Sequence, residues 1–534
     1  MSGLVFLSLL ISALTSAAAA PAARAPEKGG TLVLAASADA RTLVPILASD
    51  SASAAVCGLI FNGLVKYDAD LELTGDLAES WDVSADGLTI TFHLRRNVLW
   101  QDGRPFSARD VLFTYNKLID PTVRTAYAGD FLLVKDIRAP DPTTVVVTYA
   151  EPFAPALASW GMGILPEHIL NNVDLNTAAA IQPVGTGPWR LKTWRRNERM
   201  ELRSFPGYFD TQAMITRLFE RIIPDETTAF LALETQDVDA AGLTPLQYAR
   251  QTDTALFKER YRKFRTPGFG YTYLGYNLND PRFKDARVRR ALALAVDKNE
   301  IIRIVLLGMG RVVTGPFVPQ SWAYDERIAD AGYDPGAARR LLAEAGWRDT
   351  DGDGRLDKDG RPFSFTILTN QGNDQREKTA QLLQGYFKDI GVEAKIKVVE
   401  WSALLSEFID KRRFEAVLLG WSLGRDPDVY DIWHSSKTKE GEFNFISYGN
   451  AEVDDLLVRG RRTFDQKERQ RIYRRIHAIL NEEQPVLFLY SADTLEAVSR
   501  RVEGIVPAAA GIGYNMPKWW IPAEERRYRN LMEQ

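Results

Sequence analysis

The chain has 534 residues, 45% of them hydrophobic and 25% charged, and 66 Lys and Arg against 70 Asp and Glu leave a net charge of −4. At roughly 150 residues per unit it should fold as about three units with sizeable cores, which excludes a disordered, collagenous or polytopic membrane chain. The near-neutral, slightly acidic balance gives no general attraction to nucleic acid or anionic lipid, so neither is an expected partner.

In chain order, the apolar run 4–14 has the length of a signal-peptide core, and the small residues 17–20 offer an A-x-A cleavage pattern. Residues 1–20 are therefore expected to be a signal peptide, although Met1, Ser2 and Gly3 lack the usual basic residue. No later stretch reaches about 18 consecutive apolar residues, so the mature chain is expected to be exported and soluble. The lone cysteine, Cys57, sits among Ala54, Ala55, Val56 and Leu59 and reads as a small buried apolar residue.

Residues 31–35 read as a strand, and 81–95 as a hairpin turning at Asp86-Gly87 with Ile90, Phe92 and Leu94 on one buried face. Further strands are expected at 143–149, 189–194 and 200–205. From about Asp280 helices alternate with short strands. Asp285 caps a helix bearing Val288, Leu292 and Ala295, and Asp334-Pro335 opens another that stops at Gly346. A helix with Ala380, Leu383 and Phe387 ends at Gly391, after which Val392, Ala394, Ile396 and Val398 alternate with polar residues. A strand at 414–419 precedes Gly420, and a helix with Ile472, Ile476 and Ile479 on one face precedes a strand at 486–490. Such alternation predicts a mixed α/β lobe with ligand-facing loops at strand ends. The arginines of 459–475 fall opposite the isoleucines and predict a solvated helix surface.

Four histidines without close pairing, and no glycine-rich phosphate loop, give no sign of a resident metal, nucleotide or other cofactor. Asp349, Asp351, Asp353 and Asp357 have the oxygen spacing of half a calcium loop, but Gly360 stands where a bidentate Glu belongs, so a polar turn is expected. Gly420-Trp421-Ser422-Leu423-Gly424 matches a nucleophile elbow, with Asp431 and His477 downstream, which leaves a secreted serine hydrolase using Ser422 as an alternative. The following Gly424-Arg425-Asp426-Pro427 favours a loop where an elbow needs a helix. Tyr127, Trp401, Trp421 and Tyr490 lie where loops follow strands and suit either a core or a wet cleft.

The stretch LTGDLAESWDVSADGLTITFHLRRNVLWQDGRPFSARDVLFTYNKL, residues 73–118, strongly resembles the signature region of bacterial family 5 extracellular solute-binding proteins. GTGPWRL from Gly185, YLGYNLNDPRFKDARVRRALALAVDK from Tyr273, AEAGW from Ala343, the strand end at Gly420-Trp421 and EEQPVLFLY from Glu482 continue the resemblance over nearly the whole chain. It implies a two-lobed periplasmic-binding-protein type II-like clamp with an extra inserted domain. One lobe would combine 28–72, 184–276 and 491–534, the small domain would be 73–183, and the second lobe would be 277–490, with hinge strands near 276–279 and 490–493. The implied activity is capture, not catalysis: a periplasmic component of an ABC importer that binds short peptides, or alternatively a nickel complex, sugar or other nutrient, and passes them as a monomer to an inner-membrane permease. By resemblance Tyr127, Trp401, Trp421 and Tyr490 would contact ligand, and the main chain of Gly420 to Ser422 would pair with it. Peptide binders of the family commonly read Gly-Trp-x-x-Asp, the Asp holding the peptide amine; here Gly424 stands in that place, and Asp426 or Asp428 would have to substitute.

Overall fold

The computed structural model describes residues 25–180 and 182–527, so the expected signal peptide lies outside the described residues. A twelve-stranded sheet forms the frame. Ten of its strands run in the spatial order 393–399, 364–370, 416–422, 270–276, 486–499, 240–242, 31–36, 217–222, 199–204 and 189–195, and 261–267 and 310–312 also pair with 486–499. Thr31–Ala36 is parallel to Arg217–Ile222, and Ser364–Asn370 is parallel to Glu393–Val399. Helices cover both faces, as the mixed pattern predicts, and no described helix is long and apolar enough to cross a membrane.

Local chemistry explains the elements. Ser107 and Asp110 form a reciprocal capping box at the start of Ala108–Ile119. Asn373 caps Asp374–Asp389, which terminates before Gly391, at φ +82°. Ile90, Phe92 and Leu94 are all buried as their alternation requires, in a four-stranded sheet that runs Ala78–Val83, Thr89–Leu94, Thr144–Tyr149, Val134–Asp141. This smaller unit has its own core, which also recruits Val44, Ile46, Leu64 and Val65 from upstream. Cys57 is on the buried face of the helix Ser51–Ile60, in one core cluster with Leu32 and Trp189, and burial pushes its thiol up to about 12.

Three expectations need correcting. The strand beginning at Val486 does not end at Tyr490. It continues to Ser499 and joins the two halves of the sheet, pairing with Gly270–Tyr276 up to Tyr490 and with Tyr261–Pro267 from Asp493 onward. The strand Gly270–Tyr276 therefore belongs with the later half, where it also pairs with Ala416–Ser422, and the chain crosses between halves near 267–270 rather than 276–279. Finally, the arginines of the last long helices are not all solvated. Arg461 is 5% and Arg469 7% exposed, because each meets a carboxylate that sequence spacing cannot show.

Candidate functional site

Strand Ala416–Ser422 ends in the Gly-Trp-Ser segment. The Leu423 N–H donates to Phe269 O, so alternate residues of the antiparallel ladder turn toward Gly270–Tyr276, and Gly420 and Ser422 direct their main-chain groups the other way. On that other side the parallel partner reaches only Leu368↔Val417. Among the described residues Gly420 to Ser422 thus keep one edge without a strand partner, and an extended chain can add to such an edge.

The Trp421 indole lies beside this edge. It stacks on Tyr273 with centroids 6.3 Å apart and planes 11° apart, and meets the edge of Phe443 at 5.5 Å. Phe443 in turn meets Tyr127 at 5.8 Å and 74°. Tyr127 comes from the smaller unit, where its hydroxyl donates to Ala48 O at 2.8 Å. A continuous aromatic run therefore crosses from the later half of the chain to the smaller unit and brings two of the expected residues, Trp421 and Tyr127, to one place. Phe443 was missed because it stands in a polar loop, Glu440-Gly441-Glu442-Phe443-Asn444, with no periodicity to mark it.

The other expected residues fare differently. Trp401 is half-buried at the end of the strand Glu393–Val399 with its indole N–H enclosed and unbonded, and among the described residues it makes no ring contact with the Trp421 run. Tyr490 is 1% exposed, its hydroxyl 3.2 Å from Thr379 Oγ1, so it is part of the core beneath the site rather than a ligand-facing ring. Asp426 takes both Nη groups of Arg469, at 2.9 and 2.7 Å. Asp428 accepts from Tyr430 N and from Arg461 Nε at 2.8 Å. Neither Asp is free to replace an amine-binding carboxylate. Both are committed to buried guanidinium groups, which shape the loop after the Gly-Trp segment.

Arg461 does more than hold that loop. Its Nη2 lies 2.7 Å from Asp130 of the smaller unit, and Asp431 and Lys437 join the cluster, 2.8 Å from one another. Nearby, Arg462 bonds Glu151, and Ala154 N donates to Arg461 O. Arg41 and Asp410, 3.0 Å apart, and the Asp374 N–H on Glu226 Oε2, also 3.0 Å, tie the earlier part of the chain to the later one. These contacts hold the two parts of the chain against one another. Burial pushes Asp130 up to about 7, with Asp431 and Asp428 adding to the effect and Arg461 opposing it.

The hydrolase constellation is not assembled. His477 is fully buried with Nε2 on Thr314 Oγ1 at 2.9 Å and Nδ1 accepting from Asp325 N, and burial holds it down at about 4. Asp431 serves Lys437, Ser422 is exposed, and a loop follows it. The carboxylates of Asp349, Asp351 and Asp353 cluster at the surface, but they cap the loop's own N–H groups, at Gly352 and Gly354 for Asp349. Asp357 turns away to Thr350. A cavity of about 730 Å³ opens elsewhere, lined by Phe61, Lys66, Tyr67 and Tyr208 among others, and none of the expected site residues borders it.

The model of the bacterial extracellular solute-binding proteins, family 5, matches residues 72–443. The chain is 32% identical over 536 residues to the oligopeptide-binding protein AppA of Bacillus subtilis, covering 98% of both. It superposes with a TM-score of 0.89 on the structure of AppA in complex with a nonapeptide, covering 93% of this chain and all of that one. The Helicobacter pylori periplasmic binding protein DppA in complex with peptide STSA (28% identity, TM-score 0.84, coverage 93% and 99%) and Campylobacter jejuni NikZ in complex with Ni(L-His) (29%, 0.83, 92% and 99%) are also similar.

Proposed function

Since this chain belongs to the bacterial extracellular solute-binding proteins of family 5, we propose that it captures short peptides between two lobes and hands them to the permease of an ABC importer. The first lobe would comprise 28–72, 184–269 and 491–527, carrying the inserted domain 73–183, and the second lobe 270–490, with hinges where the chain crosses near 267–270 and 490–493. Export through the N-terminal leader would place it in the periplasm. No covalent bond of the ligand changes: closure removes the ligand's polar groups from water, which strengthens each contact.

The observation that carries this reading is the free main-chain edge of Gly420 to Ser422 flanked by the Trp421, Phe443 and Tyr127 rings. Main-chain pairing supplies affinity without regard to side chains, while the rings supply apolar area that many residues can use. That combination suits varied peptides. The test is native mass spectrometry of freshly purified protein followed by thermal melting with the recovered cargo. Ligand at about 100 times its Kd adds roughly 2.7 kcal/mol of stability. A retained peptide that raises the midpoint and is recovered unhydrolysed is the expected result. A metal complex or sugar as cargo would replace the peptide reading, and turnover of the cargo would refute capture.

A further inference from the structure

Two ion pairs that join the earlier part of the chain to the later one, Arg41–Asp410 and Arg462–Glu151, each match one cation to one carboxylate. The cluster around Arg461 does not. Asp130, Asp428 and Asp431 share two cations: Arg461, 2.7 Å from Asp130 and from Asp428 and 4.0 Å from Asp431, and Lys437, 2.8 Å from Asp431. Among the described residues no third cation pairs with them, and the neighbouring Asp426 is matched by Arg469. Rings enclose the cluster: the Arg461 guanidinium lies 3.9 Å from the Tyr430 ring centroid and 5.5 Å from that of Phe153, and His434 stacks on Tyr430. Burial holds His434 below its ordinary value and pushes the Tyr149 phenol, which also faces Asp130, upward, so neither adds a positive charge near neutral pH.

The carboxylates divide by origin. Asp428, Asp431, Lys437 and Arg461 all belong to the later part of the chain and balance two against two. Asp130 is the odd charge, and it comes from the smaller unit, with 23% of its side chain open to a proton. Lobes that part to admit cargo return Asp130 to water and leave a neutral set behind. Lobes that meet bring it, stripped of water, against charges already matched. A surplus buried charge is costly, and one proton removes it while the other carboxyl oxygen still accepts from Arg461 Nη2.

We infer that the Arg461 cluster is a proton-linked latch: capture of cargo takes up a proton at Asp130 as the smaller unit meets the later part of the chain. This rests on the proposed capture between lobes and adds a control to it, since cargo is then held more tightly in acid. Asp130 is pushed up to about 7 with the parts together and returns to roughly 4 when solvated. Uptake should therefore be nearly one proton at pH 6 and about half at pH 7, and Kd should weaken by about tenfold or more from pH 5.5 to pH 8. Glu226, which takes the Asp374 N–H across the same divide, is also pushed up to about 7 and is the competing source of a proton.

The probes are alanine-glycine peptides of two to nine residues, titrated by calorimetry at pH 6, 7 and 8 in buffers of different ionisation enthalpy, which reads the protons taken up per peptide bound. The full protein is compared with its Asp130→Asn and Glu226→Gln variants, so that protonation of the peptide's own ends cancels. At pH 7 the wild type is expected to take up about half a proton more than Asp130→Asn, and Glu226→Gln is expected to keep that half. Equal uptake by the wild type and Asp130→Asn overturns the latch with capture intact. So does loss of all uptake in Glu226→Gln, a comparison that serves even where Asp130→Asn does not fold. Should none of these peptides bind, peptide capture fails separately, and the cargo recovered by native mass spectrometry takes their place in the same titrations. If no cargo binds at all, capture fails and the latch falls with it.

Discussion

Replacing Trp421 by Ala separates what the indole does for the fold from what it does for a ligand. The ring is half-buried, stacked on Tyr273, met edge-on by Phe443 and packed at a tilt against Phe445. A fully buried Trp→Ala change costs about 3–5 kcal/mol, so a ring with one side open should lose about half of that, roughly 2 kcal/mol. Unfolding a chain of about 500 residues carries an entropy of about 1 kcal/mol per kelvin, so the melting midpoint should fall by only about 2 °C. The open side offers a ligand about 80 Å² of apolar surface, and at about 25 cal/mol per Å² its loss costs about 2 kcal/mol, or some thirtyfold in Kd. Calorimetric titration of the natural cargo, with melting curves run in parallel, checks both figures. Unchanged affinity with a lowered midpoint would show that Trp421 is only a packing residue and would remove it from the site.

Arg461→Met should destabilise by about 3–5 kcal/mol, because it leaves Asp130, Asp428 and Asp431 sharing Lys437 alone; adding Asp130→Asn should restore part of the loss in a chemical denaturation series, and no rescue would contradict the cluster. Asp130, Glu220 and Glu226 are each pushed up to about 7, chiefly by burial. A carboxyl raised above its unfolded value contributes stability that is full below about pH 4 and is lost as pH rises through about 7. The melting midpoint should therefore be higher at pH 5.5 than at pH 8, with a smaller difference in Asp130→Asn; a midpoint that rises with pH would refute these assignments. Ser422→Ala removes an exposed hydroxyl, so the cargo's Kd should change by about twofold at most, and neither form should hydrolyse p-nitrophenyl esters; turnover lost on substitution would revive the hydrolase.

Local pattern carried much of the fold. The alternation of Ile90, Phe92 and Leu94, the cap at Asp285, the stop at Gly391 and the isoleucine stripe of Gln466–Glu483 are one-dimensional signals, and each appears where the sequence places it. The long strand Val486–Ser499 was only half legible. Beyond Tyr490 its neighbours change from Gly270–Tyr276 to Tyr261–Pro267, and the residues Ala492-Asp493-Thr494 at the changeover carry no apolar alternation. Arg461 and Arg469 look like surface charge in a helix sequence, since what buries them is a loop some 33 and 43 residues earlier. For the same reason Asp426 and Asp428 looked available. Of the proposed site, Trp421 and the Gly420 edge follow from the resemblance and the strand end. Phe443 does not, because it sits in a polar loop. Tyr490 follows a strand-like run, yet pairing on both sides encloses it.

A crystal structure of the protein with a bound peptide tests the central claim most directly. The account predicts an extended chain between the lobes, its backbone hydrogen-bonded to Gly420 and Ser422 and its side chains against Trp421 and Tyr127. A peptide seated instead in the cavity beside Lys66 and Tyr67, with the Gly420 to Ser422 edge unpaired, would contradict it.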